Sequence, residues 1–105
     1  MDPIRVLLAL ESQGLRRHPR LIIDELDDIE VVGEAGDVVG GSERVATVRP
    51  DVVLIDARMP HITGIEAIRI LHERGFSGAV IVMSDDVDDL DEALRSGASG
   101  YLLKD

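Results

Sequence analysis

An α/β fold with a parallel sheet is predicted by three observations: five short aliphatic runs, helical periodicity in the gaps between them, and turn-forming residues at the joints. Hydrophobic residues make up 45% of the 105-residue chain but aromatic residues only 2%, one Tyr and one Phe. The core must therefore be built of Ile, Val, Leu and Ala, which suits a sheet sandwiched between helices. A chain of this length holds a single core, so residues 1–105 are expected to form one domain.

The first strand is expected over residues 4–10, where Ile4 to Leu10 are apolar apart from Arg5. Leu15 and the stretch 21–26 suggest a helix between Gln13 and Leu26, interrupted at Pro19. A second strand falls at 29–32. The next helix, 38–48, is the weakest, because Gly40 and Gly41 cost it about 1 kcal/mol each relative to Ala. Residues 52–55 (Val-Val-Leu-Ile) and 79–83 (Ala-Val-Ile-Val-Met) do not alternate with polar residues, as expected of strands covered on both faces. Between them Ile65, Ile68 and Leu71 recur at helical spacing, as Val87, Leu90 and Leu94 do after the fourth strand. A fifth strand is expected at 101–103. Arg49-Pro50-Asp51, the glycines at 75 and 78, and those at 97 and 100 mark the joints. The order β-α-β-α-β-α-β-α-β implies right-handed crossovers. The alternation calls for a final helix, which is lacking.

Eleven Lys and Arg against twenty-one Asp and Glu give a net charge of −10. Such a chain is repelled by phosphate backbones and anionic lipid, so direct binding to nucleic acid or membrane is not expected. Cysteine is absent, which excludes disulfides, a thiol nucleophile and thiolate metal ligation. No apolar run exceeds five residues, far short of a membrane span, and the start Met1-Asp2-Pro3 lacks a signal peptide's basic region. A soluble, cytoplasmic domain is the expectation.

In an open parallel sheet, ligands bind at the carboxyl ends of the strands. Those ends carry Leu10-Glu11, Asp56, Ser84 and Lys104. Two carboxylates, a hydroxyl and an ammonium on one rim suit phosphoryl transfer to a carboxylate. Asp56 is the nucleophile candidate, Glu11 a hard oxygen ligand for Mg²⁺, and Lys104 with Ser84 the groups that hold phosphoryl oxygens.

The run Asp56-Ala57-Arg58-Met59-Pro60-His61-Ile62-Thr63-Gly64, then Ser84, then Gly97-Ala98-Ser99-Gly100-Tyr101-Leu102-Leu103-Lys104-Asp105, resembles the receiver domain of response regulators. Ile29-Glu30-Val31-Val32-Gly33-Glu34 and the ending Tyr-Leu-Leu-Lys-Asp look like the NarL/FixJ branch, whose receivers precede a LuxR-type helix-turn-helix. The resemblance implies a flavodoxin-like, doubly wound, five-stranded parallel sheet in the order 2-1-3-4-5. It also implies Asp56 as phosphoacceptor, Ser84 as switch hydroxyl, Tyr101 as switch aromatic, Lys104 as phosphate contact and the backbone carbonyl of Arg58 as a metal ligand. A sensor histidine kinase is the implied partner, and a transcription-regulating, DNA-binding output domain outside this chain the implied effector. No enzymatic activity is expected beyond self-phosphorylation on Asp56.

One departure stands out. Where the family pattern has an acidic pair after the first strand, this chain has Leu10-Glu11, and Mg²⁺ demands near-octahedral oxygen geometry. Mg²⁺ binding is expected to be weakened or lost. The alternative is a receiver-like module for dimerisation or ligand binding that works without phosphorylation. Open apolar surface on the face of the first, third and fifth strands would favour self-association, or cover by a missing helix and output domain. Six acids between Asp85 and Glu92 lack the central glycine of a calcium loop and read as a solvated helix start. His18, His61 and His72 have no metal-like spacing.

Overall fold

A computed structural model describes residues 2–10, 28–35, 38–59, 62–84 and 87–103. Its main sheet contains β1 (Ile4–Ala9), β2 (Ile29–Ala35), β3 (Val52–Asp56), β6 (Ala79–Ser84) and β7 (Gly100–Leu103), in the spatial order β2-β1-β3-β6-β7. All four pairings are parallel. Setting aside two short strands, this is the expected order 2-1-3-4-5. The helices among the described residues are α1 (Val38–Val48), α2 (Gly64–Glu73) and α3 (Val87–Arg95). The helix expected between Gln13 and Leu26 lies outside the described residues.

Two features were not anticipated. β2 runs on to Ala35 because the register slips between Val6 and Leu7, where Leu7 pairs with Gly33 and Val32 becomes the extra residue. A two-stranded antiparallel ladder, β4 (Arg58–Met59) with β5 (Ile62–Thr63), closes the loop after β3. Strands of two residues are too short for any alternation to be read.

Alternation divides the apolar residues between the faces of the sheet. Leu7, Ala9, Val53, Ile55, Val80 and Val82 form one core with Ala67, Ile68 and Leu71 of α2 and Ala93 of α3. Val6, Leu8 and Leu54 form a second cluster on the opposite face, with Ile29, Val31, Val52, Ile81 and Met83 partly buried against it. Leu102, in register with Met83, is 51% exposed on that same side. The α1 helix forms despite its two glycines, because Val45 and Val48 pack against the first core.

The three described helices stop in the left-handed region or at a residue leading into it. At the end of α2, Gly75 N donates to His72 O and Phe76 N to Leu71 O. The end of α3 repeats the pattern, with Gly97 N to Leu94 O and Ala98 N to Ala93 O. These are Schellman closures, and Gly97, at φ 109°, adopts without strain a conformation that costs L-residues with a Cβ about 1–2 kcal/mol. A Cβ there would also sit 3.1 Å from the His72 ring. The α1 helix ends differently: Arg49, at φ 49°, donates its N–H to Val45 O at 3.1 Å and is followed directly by Pro50. Arginine takes the left-handed position that glycine takes elsewhere.

Candidate functional site

The carboxyl edge of the sheet is assembled by strand register. Ala9 pairs with Ile55, so Leu10 and Asp56 come next on adjacent strands. Asp56 pairs with Met83, and Ala57 N donates to Met83 O at 2.8 Å, which fixes the chain just after Asp56 against the end of β6. Ser84 follows Met83 and pairs with Leu103. Four strand ends, β1, β3, β6 and β7, thus meet on one rim. The ladder of β4 with β5 then holds the Arg58 backbone two residues beyond Asp56.

Burial separates these residues from the surface. Asp56 and Ser84 are each 2% exposed, the buried polar residues of the described chain. Each has an interaction partner, as burial of a carboxylate or hydroxyl requires. Leu10 is 1% exposed and brings a methyl-tipped side chain where an acid would bring oxygen. Tyr101, on the edge strand, is 48% exposed and in register with Val82. Glu11 and Lys104 lie outside the described residues.

A divalent cation needs oxygen ligands, and the fit can be tested on this donor set. Asp56 supplies one carboxylate and Arg58 a backbone carbonyl, both hard donors of the right kind. Among the described residues no three His, Cys, Asp or Glu side chains come together to hold a metal ion. Among the described residues these donors suit Mg²⁺ in type and number two.

Asp56, Ser84 and Leu10 were legible at strand ends, and Tyr101 through the family resemblance. The sequence reading missed a second feature at the opposite, amino edge of the sheet. There Asp51 stitches three strands: its N–H donates to Arg5 O, its Oδ2 accepts from Arg5 N, and its carbonyl accepts from Ala79 N. Arg49 and Arg74 line a cleft beside it. These residues are up to 74 positions apart in the chain (Arg5 to Ala79), and no local pattern announces their meeting.

Comparison with known proteins identifies the family of this fold. The family profile described as response regulator receiver domain matches residues 6–105. The nitrate/nitrite response regulator protein NarL of Escherichia coli K12 is 38% identical over 106 residues, covering 99% of this chain and 49% of that protein. Among solved structures, the response regulator domain of Thermotoga maritima CheB superposes with a TM-score of 0.90 at 34% identity, covering 98% of this chain and 79% of that one. The receiver domain of a response regulator NarL from Mycobacterium tuberculosis gives 0.86 at 30% identity, covering 100% and 86%. The chain spans about half the length of the curated NarL-type relatives it matches.

Proposed function

The chain belongs to the response regulator receiver family, and from that premise we propose that Asp56 is its phosphoacceptor, loaded by a sensor histidine kinase. The observation that carries this reading is a buried carboxylate at the carboxyl end of the central strand, with a buried hydroxyl, Ser84, ending the next strand. In the transfer, an Asp56 carboxylate oxygen attacks the phosphorus of a phosphohistidine. The P–N bond breaks, an acyl phosphate forms, and the imidazole leaves with the electron pair. Ser84 then donates its hydroxyl to a phosphoryl oxygen, and Lys104 neutralises another. Tyr101 is the aromatic whose position reports that contact.

Mg²⁺ would be held by Glu11, Asp56 and the Arg58 carbonyl, and when bound it neutralises charge on the transferred group. With Leu10 in place of an acid, that affinity is low and loading is slow. The output is a DNA-binding, transcription-regulating domain outside this chain, as the names of its NarL-type relatives suggest. Among the described residues no helix is long and apolar enough to cross a membrane, and the proposed setting is the cytoplasm.

A second reading is favoured by the buried Leu10: a receiver that signals without phosphate, through self-association or a bound ligand. Intact-mass measurement after incubation with acetyl phosphate and Mg²⁺ separates the two. The first reading expects slow addition of one phosphoryl group, absent in Asp56→Asn. No addition to either chain, even after prolonged incubation, would favour the second.

A further inference from the structure

At the end of the sheet away from Asp56, the structure holds a cleft of about 420 Å³ lined by Arg49, Asp51, Arg74, Phe76, Ser77 and Gly78, among others. We propose that this cleft binds a small oxyanion, a phosphate or a carboxylate, gripped by the guanidinium groups of Arg49 and Arg74.

The charge pattern is the first support. The chain carries a net charge of −10, and Arg69 pairs with Glu73 and Arg95 with Asp91. Arg49 and Arg74 do not: among the described residues neither guanidinium has a hydrogen bond or ion pair. The one carboxylate in the cleft, Asp51, is already engaged by the Arg5 backbone N–H at 2.9 Å. The Arg5 guanidinium donates to Val48 O at 2.7 Å, adding a third positive charge next to Arg49. Planar guanidinium forks match oxyanions in pairs of parallel hydrogen bonds.

The backbone is the second. Arg49 occupies the left-handed position, at φ 49°, where α2 and α3 place glycine, and it precedes a proline, which further restricts it. Glycine would sit there without strain. An arginine held in such a conformation, with no partner for its side chain among the described residues, is the kind of outlier that accompanies a binding role. The third support is the cleft's shape. A Cβ on Gly78 would fall 2.5 Å from Asp51 O and 2.6 Å from the Phe76 ring, so this glycine lets the Phe76 ring close the floor. The volume lies in the range of roughly 300–1,000 Å³ typical of small-molecule sites.

The test is an amide NMR titration of the chain with inorganic phosphate and, separately, with citrate, each against sodium chloride at matched ionic strength. Saturable shifts confined to Arg49, Arg74, Ser77 and Gly78 are expected with one or both anions, and the tighter of the two identifies the oxyanion. Arg49→Gln and Arg74→Gln should each weaken binding at least fivefold and the double variant abolish it, whereas Arg95→Gln, on the far helix, leaves it unchanged. Arg74→Lys keeps the charge without the fork and should bind at an intermediate level. Circular dichroism confirms that each variant is folded. Shifts reproduced by sodium chloride, shifts that survive the double variant, or no shifts at all would overturn the proposal.

Discussion

Ile55 and Ile81 stand on neighbouring strands, one on each face of the sheet, and they meet very different amounts of water. Ile55 is 2% exposed in a core closed by α2 and α3. Ile81 is only half-buried, beside Met83 and the exposed Leu102. The same residue type, one strand apart, is sealed on one side and reachable on the other. The closed face supplies the stability that holds the strand ends in place, and the more open face is where a further segment or partner can add burial. In this account, rigidity comes from one face and adaptability from the other.

That contrast can be broken by matched truncations. Ile55→Ala is expected to cost about 2–5 kcal/mol, because it leaves a cavity among side chains that cannot collapse into it. Ile81→Ala should cost less, about 1 kcal/mol, because water and neighbours already reach it. Urea denaturation of both variants measures the pair. Equal losses would mean that the two faces are equally closed. If a longer form of the protein covers the second face, the Ile81→Ala loss should rise towards that of Ile55→Ala in that form.

Leu10 sharpens the contrast at the functional rim. Leu10→Asp puts a carboxylate into a 1% exposed position beside Asp56, and with chelator present it should destabilise the fold by about 3 kcal/mol. Added Mg²⁺ should restore part of that loss by binding the native state, read as a rise in Tm that the unaltered chain shows weakly. A variant insensitive to Mg²⁺ would place the metal elsewhere.

The smallest expected effects come from two exposed positions. Leu102→Ser should change stability by no more than about 0.5 kcal/mol and reduce any self-association seen by sedimentation. Arg49→Gly should stabilise the chain by about 0.5–1 kcal/mol, the relief of left-handed strain less the added flexibility of the unfolded chain. A loss of stability in Arg49→Gly would show that the arginine side chain anchors the turn itself.

Much of this was legible beforehand because it rests on local rules. The uninterrupted runs of β3 and β6 announce strands covered on both sides. A parallel sheet then sends Asp56 and Ser84 to a common rim without further information. Tyr101, at the start of the last aliphatic run, was legible instead through the family resemblance. What stayed hidden depends on distant parts of the chain or on very short elements. The β4–β5 ladder has two residues per strand, and the slip at Val32 depends on how Gly33 meets Leu7 across the sheet. The Arg49–Arg74 cleft joins a helix end to a loop 25 residues on, and its charges, unpaired among the described residues, meet only once the fold has brought them together. Glu11, Lys104 and the expected helix from Gln13 to Leu26 lie outside the described residues, so their part in the site rests on the sequence.

The central claim is that Asp56 accepts phosphate in a pocket whose metal support is thinned by Leu10. Its most direct test is the initial rate of Asp56 phosphorylation by acetyl phosphate, followed by intact mass across a Mg²⁺ titration, in the unaltered chain and in Leu10→Asp. The account expects a slow rate that half-saturates only at high Mg²⁺, with Leu10→Asp faster and saturating at least tenfold lower. Fast phosphorylation of the unaltered chain at low Mg²⁺, with no gain from Leu10→Asp, would contradict it.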